Sequence, residues 1–443
     1  MAWAVQKVSA LASSTTARAD VRVLHIPMSR RAIVDALLER AREDGEGALV
    51  SPEQFAELAE ILQAIYHFEM HGRLEGMKDD YAPFNPDREV VIDDGLDAAA
   101  HDKSAERLRQ SVERVLERGN YALLRQSEIL RAFSERSLFP VDLHVDMDFF
   151  DEFMVYARGE SIRQETVATW FGLYSRTHEV PAHDRVCLFI RCKDDAHIPG
   201  KKRKRMGVTH HPGMILLKLF RNIPKNDLEM LFPSFELRMR MIDKLLLGVP
   251  ALAAGVPVLA KLGPALVAMG VLVGLAEGRM SSASLITGLT GLVMLGTYLF
   301  TQWSRFQFQK ALFMRVLSEN LYFRNLDNNE GVLTRLIDDA EEEECKEALL
   351  AYFFLLRAGG EMSGETLDEQ VEAWLLATFG FDIDFDVSDA LRKLEELGIG
   401  LATEAEGTWR AIPIDDALAL VHRRWDDYFI ERRRAAVARA AEG

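Results

Sequence analysis

Apolar positions in the first third of the chain recur at helical spacing. Phe55, Leu58, Ile61, Leu62, Ile65, Tyr66 and Met70 lie on one face of a predicted long amphipathic helix running toward Tyr81. Its start is written in Ser51-Pro52-Glu53-Gln54, with a capping hydroxyl, proline at the first helical position and glutamine at the third. Residues 103–116 and 121–133 predict further helices. At 141–149 the period switches to two, with Val141, Leu143, Val145, Met147 and Phe149 on one side and Asp142, His144, Asp146 and Asp148 on the other, which predicts a strand with one wet face. Residues 153–158, 185–191 and 214–220 read as more strands, and 224–232 as a short helix. After residue 330, helical patterns at 330–356, 364–379 and 387–397 precede a hairpin pattern at 398–403 and 408–412, the outline of a winged-helix-like domain.

Two stretches fit neither amphipathic period. Residues 258–276 carry one charge, Lys261, and residues 285–303 carry none. As helices each would extend roughly 28 Å, near the thickness of a bilayer's hydrocarbon core. With the short polar link around Glu277, Gly278 and Arg279 they predict a two-helix transmembrane hairpin. Gly270, Gly274, Gly288 and Gly291 would let its helices pack closely, and Tyr298, Phe300, Trp303 and Phe306 would lie at an interface. The proline-interrupted stretch 245–257 reads as an interfacial lead-in.

Charge orients that hairpin. Residues 185–244 hold 14 basic and 6 acidic side chains, and the hairpin's turn offers only Arg279. The positive-inside rule then puts both soluble parts on one side, in a bacterial inner membrane or, in a eukaryote, the mitochondrial inner membrane. The bilayer is thus an expected partner, with Lys201, Lys202, Arg203, Lys204 and Arg205 facing anionic lipid headgroups. The formal net charge of −16 arises entirely after residue 324, where 28 acidic residues face 12 basic ones.

A chain of 443 residues suggests about three domains. The predicted fold class is α+β, mostly helical: a disordered tail at 1–20, a helical region at 21–139, a small basic antiparallel α+β unit at 140–244, the hairpin at 245–304 and the acidic winged-helix-like domain at 305–443. Cys187, Cys192 and Cys345 are too few for a disulfide framework.

Candidate chemistry is sparse. His67 and His71 stand four apart on a helix and could share a metal ion, although Glu69 faces elsewhere and the residue after His67 is Phe68, not the glutamate of a zinc protease. Asp142, His144, Asp146 and Asp148 form an acidic ridge that could hold a divalent cation or meet Arg185 and Arg191 on a neighbouring strand. The block Glu341, Glu342, Glu343 and Glu344 reads as a solvated helix face, or one that docks on the basic 185–244 surface. On the last predicted helix Asp389, Glu395 and Glu396 outnumber Arg392 and Lys393, which disfavours nucleic acid as a partner. No phosphate-binding loop, dinucleotide fingerprint, nucleophile elbow or C-x-x-C occurs, and no cofactor is expected.

The run at 218–250, KLFRNIPKNDLEMLFPSFELRMRMIDKLLLGVP, resembles the signature of the family catalogued as domain of unknown function 3754, which includes the vertebrate mitochondrial transmembrane protein 143. Residues 81–87 (YAPFNPD), 156–160 (YARGE), 323–353 and 385–399 extend the resemblance. It implies a two-span membrane protein and supplies no catalytic or binding residues. The functional expectation is a two-span, non-enzymatic scaffold or adaptor whose acidic domain contacts a protein partner. The alternatives are a membrane-bound metal-dependent enzyme and an oligomeric pore or transporter.

Overall fold

The computed structural model describes residues 23–45, 49–88, 98–134, 142–145, 147–169, 174–193, 213–233, 235–238, 321–403 and 407–442, with isolated positions between 290 and 318. The elements in chain order are α1 (Arg30–Glu43), α2 (Pro52–Tyr81), α3 (Ala98–Arg118), β1 (Ala122–Leu123), α4 (Gln126–Ser134), β2 (Asp142–Val145), β3 (Phe150–Thr169), β4 (Tyr174–Cys192) and β5 (Ile215–Pro224). They continue with β6 (Phe235–Arg238), β7 (Asn325–Asn328), α5 (Glu330–Ala358), β8 (Met362–Ser363), α6 (Gly364–Phe379), α7 (Val387–Leu397), β9 (Gly400–Ala402), β10 (Thr408–Ala411) and α8 (Ile414–Glu442). This is a mostly helical α+β fold with antiparallel sheets. It divides into a larger unit of Met1–Ile129, Asp148–Lys225 and Asn325–Gly443, and a smaller one of Leu130–Met147 and Asn226–Arg324.

Two long helices organise the larger unit. The Ser51 hydroxyl accepts a hydrogen bond from the Gln54 amide at 3.4 Å, and Pro52 opens α2 where its missing N–H costs nothing. At 30 and 29 residues, α2 and α5 each extend about 45 Å. The first half of α2 (Phe55, Leu58, Leu62) packs with α1, α6, α7, α8 and the second half of α5. Its second half (Met70, Leu74, Met77, Tyr81) joins α3, the first half of α5 and the sheet face bearing Phe189, Leu217 and Leu219. The two helices therefore run in opposite senses through two cores that share no other helix.

The main sheet has the order β1-β3-β4-β5-β7, antiparallel throughout. Its last strand comes from far along the chain, with Lys218 of β5 opposite Asn328 of β7. Asn329 then turns the chain into α5 with φ of 51°, donating its amide to the Leu217 carbonyl at 2.7 Å. The second sheet, β8-β10-β9, closes around α6 and α7, and α7 ends at Gly398 with φ of 75°, a left-handed conformation that favours glycine.

In the smaller unit, β2 and β6 form an antiparallel pair. The expected strand at 141–149 is only Asp142–Val145, and Met147–Phe149 is a 3-10 turn, so one alternating face does not run through Asp148. The expected hairpin is corrected. Among the described residues no helix is long and apolar enough to cross a membrane. A span needs about 20 consecutive, mainly apolar helical residues. The described helical positions of the second expected span include Thr290, Thr297 and Thr301, and the last two return their hydroxyls to helix carbonyls. With the hairpin go the two-span reading, the membrane location deduced from it and the pore alternative. Residues 1–22, Lys201–Arg205, the 245–257 lead-in, the first expected span and Gly270, Gly274, Gly288 and Gly291 lie outside the described residues.

Phe353, fully buried, meets Phe55 of α2 edge-on with ring centroids 5.2 Å apart. Replacing it by alanine is expected to cost about 3–5 kcal/mol, because the truncation leaves a cavity between the two organising helices. Urea unfolding followed by circular dichroism measures this.

Candidate functional site

The middle of α5 is the chemical centre of the described chain. Asp339, Glu341, Glu343, Glu344, Lys346 and Glu347 are all buried there, where the two cores meet. The expectation of a solvated acidic face is thereby corrected. The sequence shows carboxylates at most positions from 338 to 344, but not that sheet and helices surround them. A buried charge is tolerated only when paired and hydrogen-bonded, and each neighbouring element brings a partner.

From the sheet, Arg158 reaches Asp339 at 3.4 Å and Arg185 makes a close ion pair with the same carboxylate. Tyr121 donates its hydroxyl to Asp339 at 2.8 Å, and the Arg158 guanidinium lies 4.8 Å above the Tyr121 ring. Burial pushes the Asp339 carboxyl up, but the two arginines and these hydrogen bonds outweigh it and hold it below the usual aspartate range. From α1, Arg30 contacts Glu341 at 3.4 Å and its amide donates to Glu342 at 3.0 Å. From α7, Lys393, 1% exposed, pairs closely with Glu347 and lies 2.7 Å from Asp389 and 3.6 Å from Glu344. Burial alone would lower the Lys393 ammonium, but these three carboxylates keep it charged.

The segment before α1 is fastened by the same helix. Lys346 donates to the carbonyls of Ile26 (2.6 Å) and Met28 (3.1 Å) and to Glu343 (2.8 Å), while the Ile26 amide donates to the other Glu343 oxygen at 3.1 Å. Val23 bridges to Ile383, just ahead of α7. His25 packs its ring against Gly159, whose φ of 70° and bare Cα permit the approach; a Cβ there would lie 2.6 Å from the ring. Burial, with Arg158 and Lys346 nearby, pushes the His25 imidazole down to about 3, and its Nδ1 has no hydrogen-bond partner among the described residues.

The sequence-predicted candidates do not converge on a reactive centre. His67 and His71 stack with ring centroids 6.3 Å apart on α2, but His67 Nδ1 lies 3.0 Å from Glu341 of α5, whereas Glu69 pairs with Arg424 of α8 at 3.0 Å. Asp142 and His144 are register partners of Arg238 and Glu236 on β6, Asp148 lies in the 3-10 turn, and Asp146 is outside the described residues. Arg185 and Arg191, expected beside that ridge, instead pair with Asp339 and Asp102. Among the described residues no group of three histidine, cysteine or acidic side chains is placed to hold a metal ion. A groove of about 450 Å³ between α2 and α8, lined by Phe68, Glu69, Arg424, Trp425 and Tyr428 among others, carries the Glu69–Arg424 pair at its wall.

Sequence reasoning missed Lys346, Lys393, Arg158 and His25. The available signal for Lys393 was its place among Leu391, Leu394 and Leu397 on a short amphipathic helix.

Two outcomes follow. Lys346→Met leaves Glu343 buried without its cation and is expected to cost about 3–5 kcal/mol in chemical denaturation. His25 binds a proton in the unfolded chain below about 6.5 but not in the folded one until about 3, so its contribution is lost as pH falls through that window. Relative to the wild type, His25→Leu is therefore expected to gain stability progressively as pH drops from 6.5 toward 4, as read by urea unfolding at each pH.

No solved structure matches the chain. From His183 in the fourth strand to Gly331 at the start of the central helix, residues 183–331 match the family described as a protein of unknown function (DUF3754).

Proposed function

We propose that the chain is a non-enzymatic scaffold whose C-terminal part is a winged-helix-like module that binds protein. The order α5, β8, α6, α7, β9, β10, with a three-stranded antiparallel sheet, supports the winged-helix reading. In such a module α7 has the place of a DNA-reading helix, but its cations are engaged. Arg392 pairs with Asp389 and with Glu396 at 2.5 Å, and Lys393 is buried among carboxylates. Counterion release needs accessible cations.

One observation carries the protein-binding reading: the outer face of α6. Glu369, Gln370, Ala373, Leu376 and Ala377 are exposed at helical spacing opposite the buried Leu367, Val371 and Leu375, and Leu376 is 52% exposed. Residues 358–391 contain nine acidic side chains and no basic one. An apolar stripe in an acidic frame fits a basic amphipathic segment of a partner, with the apolar side covering Leu376 and cations along the rim.

The full chain is expected to bind a labelled helical peptide of alternating Lys and Leu faces in fluorescence anisotropy. Leu376→Asp should weaken that binding on the order of tenfold or more, the cost of losing one buried leucine contact. Glu39→Lys, an exposed acid on α1, should leave it unchanged. Steeply salt-dependent binding of a short DNA duplex, or equal weakening by the two variants, overturns the proposal.

A further inference from the structure

Two helical surfaces of the larger unit complement each other in charge and in apolar spacing. One is the outer face of α6, where Leu376 stands in a frame without a single cation. The other belongs to α8. The first half of that helix is anchored: Ala417 and Val421 are fully buried, Trp425 meets the Phe68 ring edge-on at 5.0 Å, and Tyr428 donates its hydroxyl to the Phe68 carbonyl at 2.9 Å. Past Tyr428 the helix runs on to Glu442, about 21 Å further. Residues 429–442 contain four arginines against two glutamates, the reverse of the α6 surroundings. Along them the sequence sets Ile430, Val437 and Ala441 on one helical line, with Arg433 to one side of it and Arg434 to the other. Such a stripe gains most of its stability when a second surface covers it. Within one chain α6 does not supply that cover, since Leu376 is 52% and Ile430 47% exposed.

We propose that the far half of α8 docks on the α6 face of a second copy of this chain, reciprocally, so that two chains form a two-fold dimer; this rests on the protein-binding reading of α6 and names its occupant. The line of Ile430, Val437 and Ala441 covers Leu376 and Ala373, and Arg433 and Arg434 meet the exposed Glu365 and Glu369. Apolar cover supplies the affinity, while the opposed charges set the approach and the register of the two helices. A helix with the opposite charge balance would be repelled from the same face, so the arginines also select the partner. The two-fold axis repeats the contact, and once one α8 is seated the second docks as an intramolecular step.

Sedimentation equilibrium of the full chain between about 1 and 100 μM tests the dimer. A monomer–dimer equilibrium is expected at low salt, moving toward monomer as about 0.5 M NaCl shortens the Debye length to about 4 Å. Leu376→Asp, and separately the pair Arg433→Glu and Arg434→Glu, should each raise the dissociation constant on the order of tenfold or more. A one-to-one mixture of those two proteins should associate more tightly than either alone, because the intact α8 of the first still meets an intact α6 on the second. Excess Lys/Leu peptide should dissociate the wild-type dimer, a measurement that needs no variant. A dimer indifferent to the peptide or to both sets of substitutions, or a mixture no tighter than its components, overturns the proposal. So does a monomer at every concentration. If that monomer still binds the peptide through Leu376, α6 serves a different partner and the protein-binding reading stands; if it does not, both fall.

Discussion

A helix enclosed on all sides yet charged through its middle is the constraint around which the larger unit is arranged. Removing a carboxylate from water costs several kcal/mol, and only a close, hydrogen-bonded counter-charge offsets this. Asp339 needs Arg158 and Arg185 from two strands, Glu343 needs Lys346 and the backbone before α1, and Glu347 needs Lys393 from α7. Hydrophobic contact alone would tolerate some sliding of these elements along α5. The ion pairs do not, since each fixes particular side chains against particular partners, and buried polar contacts of this kind are well suited to fixing a unique arrangement.

Local structure was largely legible in the sequence, and the reason is local. Ser51-Pro52 marked the start of α2, the 364–379 and 387–397 patterns matched α6 and α7, the strand pattern at 185–191 fell inside β4, and that at 214–220 overlapped β5 from Ile215 onward. Caps and periodicity act over a few residues and can be read from a few residues. The charge block at 338–344 could not be read that way, because nothing within it distinguishes a wet face from a face met by Arg185, Lys393 and Arg30. The family resemblance was legible in its motifs, and the transmembrane expectation drawn from composition was not upheld by the helices described.

The candidate site divides on the same line. Proximity in sequence suggested His67 with His71 and the Asp142–Asp148 ridge, whereas the chemistry that forms joins residues such as Lys346 with Ile26 and Arg185 with Asp339, separated by 320 and 154 positions. Charge in the C-terminal region also has two fates. Asp339, Glu343, Glu344 and Glu347 are neutralised internally, while exposed Glu365, Glu369, Asp382 and Asp386 remain toward solvent around α6. Net charge alone conceals that partition, and only the second group is accessible to a partner.

The pairing of β5 with β7 has a further consequence. Phe220 stands opposite Asn325, so the chain leaves the sheet on one strand and re-enters on its immediate neighbour after the whole excursion of residues 226–324. Neighbouring antiparallel strands can be joined by a turn of two residues, and the entropy of closing a longer connection grows only logarithmically with its length. The excursion is in that sense inserted at a hairpin of the sheet, although its strand β6 pairs with β2 from earlier in the chain. Ribosomal synthesis imposes an order: the edge strand and α5, with every carboxylate that organises the interior, emerge only after the excursion has been made.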